Sequence, residues 1–364
     1  MTPMKIGLIL SSPSPHQVEL IDAIAANPQV DVFVGYVKSH NPARHWGRPV
    51  TTGTWENLPT STADILSGRL HRWFRDRSAD VWLLSSVYTS LATHVVARLL
   101  RHRGESFAFL GEPPQPRSGW RGLVQSVLMK SVLSRADGIV GTGREAARRY
   151  QALASEQVPV TSVPYCVDVS RELQGTPLDP PAADEPYRFV ASSQLIHRKG
   201  IDVLLQACEH LPQSGWTLDI YGDGPLRTQL QEQSAGLRDR VTFHGLLPYE
   251  QRQQVFSGKH CFVFSTRWDG WGMVLPEALA MGLPVVTTDQ AMSAHDFIID
   301  GKNGQIVPAG DPVRLAAAMR QALESRQQLQ QQSIAARASL RDYSPHRGAQ
   351  RLVEFLSSVA QPAA

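Results

Sequence analysis

The chain alternates short apolar runs with segments whose apolar residues recur at helical spacing. In the first half, strands are predicted at residues 5–10, 30–37, 81–84, 107–110 and 138–140, and helices at 17–26, 90–103 and 123–134. The repeated order of strand, helix and strand, with connections of a few residues, predicts a parallel sheet covered on both faces. Residues 38–62 are rich in Pro, Gly and Thr and show no period, which predicts a long, lid-like loop.

The second half repeats the pattern. Strands are predicted at residues 188–192, 217–221, 241–244, 261–265, 284–288 and 305–307, and helices at 201–209, 225–234, 249–257 and 272–281 and from 313 and 345 onward. Four prolines fall between residues 168 and 186, a composition typical of linkers. We therefore predict an α/β protein with a first domain at 1–168, a linker at 169–187, a second domain at 188–342, and a final helix and tail at 343–364. Ligands of such sheets bind at the carboxyl ends of the strands, so a cleft between the domains is expected.

Length and composition agree with two ordinary globular domains. The chain has 364 residues, of which 42% are hydrophobic and 19% charged. Its three cysteines (Cys166, Cys208 and Cys261) lack the spacing of a zinc site or a disulfide framework, which favours buried thiols in a reducing compartment. No apolar run approaches the roughly 20 residues that span a bilayer. The first apolar run leads into Ser-Ser-Pro-Ser-Pro without a cleavage site, so we expect a cytoplasmic protein.

The net charge of +3 is unevenly distributed. Residues 1–170 hold 18 Lys and Arg against 13 Asp and Glu, whereas the rest of the chain holds 18 against 20. This surplus is too mild for a nucleic-acid-binding protein. It suits an anionic small molecule or an anionic membrane surface.

The most informative stretch is residues 264–286, FSTRWDGWGMVLPEALAMGLPVV. An apolar strand enters a turn that holds Gly270, Trp271 and Gly272, and a helix follows. Glycines permit a ligand to approach the backbone, and the free amides at a helix start favour a diphosphate or sugar oxygens. Asp269 lies in the turn. Glu277 lies inside an apolar helix, where a carboxylate needs hydroxyl or cationic partners.

This stretch resembles the signature of the retaining GT-B glycosyltransferases of family 4. The signature has an acidic residue, Gly-aromatic-Gly, a glutamate eight positions after the acid, and a helix that ends in Ala-x-Gly-x-Pro-Val-Val. The resemblance implies two Rossmann-like domains that face a cleft, with a C-terminal helix crossing back to the first domain. The first acidic position is usually glutamate and is Asp269 here, which bears on the pose of the donor sugar.

The resemblance extends over most of the second half. Residues 192–200, SSQLIHRKG, are similar to the family's donor-phosphate loop, in which Lys199 would grip the diphosphate. The arginine often found five residues earlier is Gln194 here, so we infer that Arg198 supplies the second positive charge. The implied donor-binding residues are Ser193, Gln194, Arg198, Lys199, Gly222, Gly224, His244, Gly245, Asp269, Gly270, Trp271, Gly272, Met273, Val274 and Glu277. Of these, His244 is more typical of a packed histidine, with its segment lining the base pocket through the backbone.

The resemblance implies transfer of a hexose, with retention, from a nucleoside-diphosphate sugar to a hydroxyl of a glycan or lipid-linked saccharide. Lys199 and Arg198 would stabilise the departing diphosphate. Glu277 would hold the ribose and Asp269 the sugar. No metal or other cofactor is expected, since the sequence has no clustered ligand set.

The first domain would bind the acceptor. Ser14 and His16 follow its first strand, and Glu112 follows residues 107–110, where a carboxylate can orient an acceptor hydroxyl or accept its proton. All three are also compatible with ordinary turn residues.

Two other functions stay open at this point. Asp269 and Gln194 depart from the family pattern, which motivates a nucleotide-sugar-binding protein without transferase activity. An NAD-dependent dehydrogenase is disfavoured, because the first strand lacks Gly-x-Gly-x-x-Gly after it.

The segment from Arg117 to Leu133 has a basic start, Trp120 and a wide apolar surface. Its apolar residues are more typical of a helix that covers the sheet. The alternative is a helix that lies in a membrane interface, which would place the protein peripherally on the inner face of the membrane.

Overall fold

The fold is described from a computed structural model. It covers residues 2–38, 55–85, 89–237, 239–248 and 251–360. The chain forms two compact units, one comprising Met1–Asp168 with Tyr343–Ala364 and the other comprising Val169–Asp342.

The first unit is built on a parallel sheet. Over the described residues it has seven strands in the order β3-β2-β1-β4-β5-β6-β7. Every residue of the fourth strand is buried, as expected for a sheet covered on both faces. The strands are β1 (Met4–Leu10), β2 (Val30–Tyr36), β3 (Trp55–Asn57), β4 (Val81–Ser85), β5 (Phe107–Gly111), β6 (Gly138–Gly141) and β7 (Val160–Ser162).

The helices of this unit are α1 (Pro15–Ala25), α2 (Thr62–Leu66), α3 (Arg69–Arg75), α4 (Leu91–His102), α5 (Gly119–Leu133), α6 (Arg144–Gln151) and, at the end of the chain, α15 (Pro345–Val359). The last helix begins where the side chain of Ser344 accepts a hydrogen bond from the amide of Arg347, with proline at the first helical position. It packs against α1 and against β4 and β5. Its Leu352 and Leu356 are fully buried in that core.

The second unit is also a parallel α/β layer structure. Its sheet has, among the described residues, six strands in the order β10-β9-β8-β11-β12-β13. The strands are β8 (Tyr187–Ser192), β9 (Trp216–Tyr221), β10 (Val241–Gly245), β11 (Cys261–Phe264), β12 (Val285–Thr288) and β13 (Gly304–Val307). The order runs outward from β8 in one direction and from β11 in the other. The switch point, where such sheets open a ligand crevice, therefore lies between β8 and β11.

The helices of the second unit are α7 (Ser170–Leu173), α8 (Ile201–Glu209), α9 (Arg227–Gln233), α10 (Arg252–Phe256), α11 (Val274–Ala280), α12 (Ala294–Phe297), α13 (Pro312–Glu324) and α14 (Leu329–Ala338). A short 3-10 helix, His197–Lys199, precedes α8. The prediction of two parallel α/β domains is confirmed, and most predicted strands lie within one or two residues of their observed bounds.

Several elements differ from the predictions. The predicted loop at 38–62 contains β3 at its end, and residues 39–54 of that loop lie outside the described residues. The strand escaped prediction because three residues at a sheet edge are too few to show a period. Helix α3 was also missed, since four of its seven residues are arginine or histidine, although Leu70, Trp73 and Phe74 are buried. The predicted linker holds α7, which belongs to the second unit.

Candidate functional site

Two turns meet at the switch point of the second unit, one after β8 and one after β11. Gly200 ends the first turn in the left-handed region, and a Cβ there would lie 2.1 Å from the carbonyl oxygen of Ser265. The Ser265 hydroxyl donates to the Gly200 carbonyl at 2.9 Å, and the Thr266 hydroxyl donates to the Arg198 carbonyl at 3.1 Å. The glycine thus allows two backbone segments some 70 residues apart to touch.

A charged cluster lies where these turns join. The Lys199 ammonium donates to one carboxylate oxygen of Asp269, Oδ2, and Arg198 Nη1 lies 3.9 Å from the same oxygen. Arg198 Nη1 also donates to the Trp268 carbonyl at 2.8 Å. The Lys199 and Asp269 side chains are only 12% and 15% exposed. The structure therefore brings three predicted donor-binding residues together, with Lys199 and Asp269 largely desolvated and Arg198 38% exposed.

The charge state of Asp269 follows from its neighbours. Burial alone would raise the pKa of this carboxyl, but the charges of Lys199 and Arg198, with the hydrogen bonds from Lys199 and the Trp271 amide, outweigh it and hold the pKa below its usual value. The Trp271 amide donates to Asp269 Oδ1 at 3.2 Å. The aspartate is ionised at neutral pH and balances the lysine.

A second ion pair, between Arg267 and Asp202, holds the two turns together. Both terminal nitrogens of Arg267 donate to the Asp202 carboxylate at 2.7 Å, and Nη1 also donates to the His197 carbonyl at 2.8 Å. Burial raises the pKa of Asp202, and the bonds from Arg267 more than reverse that effect. This bidentate contact ties the start of α8 to the turn that holds Asp269.

The glycine-rich turn between Asp269 and α11 is also held by its backbone. Gly272 has a φ of 90°, and a Cβ there would lie 2.9 Å from the ring of Phe264. The Ser293 hydroxyl donates to the Gly272 carbonyl at 3.2 Å, and the Ser293 amide donates to the Trp271 carbonyl at 2.9 Å. Met273 directly precedes α11, which begins at Val274, and Gly270 lies within the turn. Hydrogen bonds to Ser293 therefore hold the segment between Asp269 and α11 in place.

Glu277 lies in the first turn of α11 with its side chain 14% exposed. Arg252 of α10 places its Nε 3.6 Å from Glu277 Oε1, and its Nη2 4.0 Å from the carboxylate of Glu172. Gln253 donates to that same Glu172 carboxylate. A largely buried carboxylate such as that of Glu277 needs a polar or cationic partner, and Arg252 provides one. Arg252 itself lies between the carboxylates of Glu277 and Glu172.

The turns after β9 and β10 approach residues 192–200, which follow β8, closely. Gly222 has a φ of 127°, and a Cβ there would lie 1.8 Å from the Ser193 carbonyl oxygen. A Cβ on Gly224 would lie 2.5 Å from the Leu195 carbonyl oxygen. The Gly222 amide donates to the Gly245 carbonyl at 2.7 Å. The predicted Ser193, Gly222, Gly224 and Gly245 are therefore packed backbone to backbone, while Gln194 is exposed.

His244 is engaged within the sheet. Its ring stacks on Tyr221 with centroids 4.5 Å apart, and its Nε2 lies within hydrogen-bond distance of Asp219 Oδ1. Lys259 donates to the other Asp219 oxygen at 2.7 Å. Burial raises the pKa of Asp219, but Lys259 and His244 bring it below its usual value. The His244 side chain therefore has a structural partner, in line with a backbone role for this residue.

The first unit holds the predicted acceptor residues. Ser14 is buried, and its hydroxyl lies 3.2 Å from His16 Nε2. The His16 ring stands 4.5 Å from that of Tyr165. Glu112 is exposed at the end of β5, and its carbonyl accepts a hydrogen bond of 2.7 Å from the Tyr150 hydroxyl. Ser14 and His16 are brought together, whereas Glu112 stands on a different loop, and its acceptor role stays a prediction.

Some residues of the site were missed by sequence reasoning. Arg252 contacts Glu277, Asp219 contacts His244, and Glu172 contacts Arg252. All three contacts are long-range, and none of these residues stands in a recognisable motif. Within the described part of the chain, no group of three or more His, Cys, Asp or Glu side chains is placed to hold a metal ion.

The two parallel α/β units define a GT-B fold, as comparison with solved structures shows. The lipopolysaccharide outer core galactosyltransferase WaaB in its apo form aligns over 98% of this chain and 99% of its own, with a TM-score of 0.77 and 16% identity. Anabaena Alr3699/HepE in complex with UDP aligns over 98% and 100%, with a TM-score of 0.76 and 16% identity.

The family comparison concerns the second unit. Residues 179–339, most of this unit, match the sequence profile of the glycosyl transferases group 1 family. A D-inositol 3-phosphate glycosyltransferase from Xylanimonas cellulosilytica is 27% identical over 328 residues, which is 80% of this chain and 74% of that protein. Other curated relatives are matched over only a quarter to a half of their length.

Proposed function

We propose that the chain is a retaining glycosyltransferase that moves a hexose from a nucleoside-diphosphate sugar to a hydroxyl of a glycan or lipid-linked saccharide. The observation that carries the proposal is the cluster of Lys199, Arg198 and Asp269 at the switch point of a group 1 glycosyltransferase domain. A largely buried lysine and a partly exposed arginine at the carboxyl end of a parallel sheet suit a bound diphosphate.

The cations serve the leaving group. When the bond between the sugar and the diphosphate breaks, negative charge grows on the phosphate oxygens, and Lys199 and Arg198 would stabilise it. Such stabilisation is stronger in a site that excludes water than in bulk solvent. In the structure described here, Asp269 pairs with Lys199 and lies 3.9 Å from Arg198. A diphosphate carries more charge than one carboxylate and would take over that pairing.

This exchange gives Asp269 its second role. Once Lys199 turns to the diphosphate, the ionised Asp269 carboxylate is free to accept hydrogen bonds from hydroxyls of the hexose. Glu277, held beside Arg252, would accept hydrogen bonds from the ribose. Aspartate is one methylene shorter than the glutamate usual at this place, so the hexose would sit closer to the turn of Gly270 to Gly272.

The proposed reaction balances without a cofactor. The bond from the anomeric carbon to the diphosphate breaks, and the acceptor oxygen forms its bond to that carbon on the same face. The acceptor proton passes to an oxygen of the leaving phosphate. We assign acceptor binding to the first unit, with Ser14, His16 and Glu112 as candidates, and we expect no metal to be required.

The names of similar proteins guide the choice of substrates. One structural neighbour is described as bound to UDP and another as a lipopolysaccharide galactosyltransferase, so UDP-hexoses and cell-surface saccharides come first. A relative from Rhizobium meliloti is named for lipopolysaccharide core biosynthesis. An acceptor of this kind would be met at the inner face of the membrane.

The proposal is tested by measuring nucleotide release from a panel of UDP-hexoses, with and without lipid-linked saccharides. We expect release that depends on the acceptor, and the product must keep the anomeric configuration of the donor, as read by nuclear magnetic resonance. Inversion at that carbon would overturn retention. Tight nucleotide binding with no release for any acceptor would favour the alternative of a binding protein without transferase activity.

A further inference from the structure

Helix α5 of the first unit is apolar on two opposite faces. Its inward face contributes Met129, Val132 and Leu133 to the core. Its outward face carries four large apolar side chains that are 47–71% exposed, Trp120, Leu123, Val124 and Val127. The prediction of a helix that covers the sheet holds for the inward face. In the first half of the helix, however, most of the large side chains point to solvent.

The exposed side chains form one stripe. They stand at positions i, i+3, i+4 and i+7, which share one face of a helix with 3.6 residues per turn. By the same geometry Arg121 lies on one side of the stripe and Lys130 on the other, and Arg117 precedes the helix. Monomeric proteins seldom expose a continuous apolar patch of this kind without a use for it. We call this surface, Trp120, Leu123, Val124 and Val127 with its flanking cations, the α5 face.

The charge around the α5 face has one sign. Residues 113–136 include four basic and no acidic residues. Arg117, Arg121 and Lys130 are exposed, and none of them forms an ion pair with the described residues. By contrast, three arginines in and beside α3 have acidic partners, as Arg69 pairs with Asp64 at 2.9 Å, Arg75 with Asp76 at 3.3 Å and Arg77 with Glu56 at 2.6 Å.

We propose that the α5 face docks the protein on the surface of an anionic lipid bilayer. The stripe would enter the boundary between headgroups and acyl chains, and the cations beside it would meet the lipid phosphates. Trp120 suits this depth because its ring is apolar and its N–H is polar, and the guanidinium of Arg121 lies 5.6 Å from the ring centroid. No helix among the described residues is long and apolar enough to cross a membrane. The docking is therefore at the interface.

The charge complementarity selects lipid over a second copy of the chain. A symmetric contact through α5 would bring the like charges of two basic flanks together, which is unfavourable. An anionic bilayer offers both an apolar layer and opposite charge. The inference stands apart from the proposed transferase activity, because vesicle binding and nucleotide binding are measured separately.

The test is flotation of the full chain with vesicles of phosphatidylcholine, with or without phosphatidylglycerol, at low and high salt. We expect binding to the anionic vesicles, weakened by salt and absent with phosphatidylcholine alone. The variant Arg117→Gln/Arg121→Gln should bind about thirtyfold less well, since each basic residue contributes about fivefold near an anionic surface. The variant Trp120→Ser/Leu123→Ser/Val127→Ser should lose at least about tenfold.

Controls come from the second unit, where exposed apolar residues stand singly. Val313→Ser/Ile334→Ser removes two side chains that are 63% and 53% exposed, and Arg341→Gln removes an exposed cation; both should bind like wild type. Circular dichroism and UDP binding in solution report whether each variant is folded. Absence of flotation of the wild type at low salt would overturn the proposal, as would α5 variants that bind like wild type. A dimer that only the α5 variants abolish, without vesicle binding, would also overturn it.

Discussion

The two units share one architecture and differ in what stands at their switch points. In the second unit, the turns after β8 and β11 are joined by side-chain to backbone bonds and by the buried pair of Lys199 and Asp269. In the first unit the corresponding strands are β1 and β4. Among the described residues, a 3.4 Å hydrogen bond from the Ser11 hydroxyl to the Ser85 carbonyl links the ends of these strands.

The surfaces differ in the opposite sense. The first unit carries the α5 face with an unbalanced positive charge, whereas the exposed apolar residues of the second unit, such as Val313 and Ile334, are isolated. The comparison shows that the second unit keeps a charged pair largely buried at its switch point, whereas the first unit exposes its positive charges on the α5 face. Under the proposed function, the second unit would hold a small anion by a few placed groups, whereas the first presents a basic and apolar surface on α5.

The largest expected effect comes from removing the central cation. Lys199→Met should lower kcat by about 10² to 10³, because the leaving group loses its main stabilising charge. It should also destabilise the protein by roughly 3 kcal/mol, since the buried Asp269 carboxylate loses its closest charged partner. Steady-state kinetics and urea unfolding measure the two effects, and Lys302→Met, at an exposed lysine, is the matched control.

A double variant separates the two roles of that lysine. Lys199→Met/Asp269→Asn removes both charges and should recover most of the lost stability without recovering activity. If activity returned with stability, Lys199 would be a structural residue and the proposed donor site would be wrong.

The next largest effect is expected from disturbing the contact between the turns after β8 and β11. Gly200→Ala should destabilise the second unit by about 3 kcal/mol and weaken nucleotide binding, because its Cβ would collide with the Ser265 carbonyl. Gly301→Ala is the control, since its φ of 73° is similar and nothing lies within 4 Å of the new Cβ. That control should cost only the backbone strain, about 1 kcal/mol. Equal costs for the two variants would show that the contact between the turns is unimportant.

Acid should loosen the second unit through His260. The buried ring accepts a hydrogen bond from the Arg188 amide at 2.9 Å, and burial, with the charges of Arg188, Arg326 and Lys259, lowers its pKa to about 4. The unfolded chain therefore takes up the proton first as pH falls. This part of the stability is present above about pH 6.5 and is lost as the pH falls toward 4.

Between pH 6.5 and pH 5 we expect a loss of at most about 2 kcal/mol. Hydrogen exchange should show β8 and β11 opening before the sheet of the first unit. His260→Gln should flatten the pH dependence, while His102→Gln, at an exposed histidine, should leave it unchanged. The same slope in wild type and His260→Gln would contradict this account.

The smallest effect is expected at the arginine that holds Glu277. Arg252→Gln should raise the KM for the donor about tenfold with little change in kcat, because Glu277 loses its orientation while the phosphate site stays intact. Arg252→Lys should restore part of that loss. A fall in kcat at unchanged KM would indicate that Arg252 acts on the reaction itself.

The sequence allowed the proposed donor residues to be picked out from their motifs, but not their mutual contacts. The motif around Asp269 and the loop around Lys199 were recognisable as strings. Their pairing depends on a strand order that brings positions 70 residues apart together. His244 illustrates the same limit, since its ring is occupied by Asp219 of the neighbouring strand.

The first unit was harder to predict for local reasons. Helix α5 has apolar residues on both faces, so periodicity alone does not tell which of them meet the core. The strand β3 is three residues long and lies in a segment without pattern. The role of Glu112 is a prediction that its exposed position neither strengthens nor removes.

The central claim is that the second unit binds a nucleoside diphosphate through Lys199. Thermal unfolding of wild type and Lys199→Met with UDP, GDP, ADP and TDP tests it directly. One nucleotide, with UDP the first candidate, should stabilise the wild type by about 3 kcal/mol at a hundred times its Kd. The Lys199→Met variant should lose most of that stabilisation, whereas the triple serine variant of the α5 face should keep it. Equal stabilisation of wild type and Lys199→Met, or no response of the wild type to any of the four, would contradict the account.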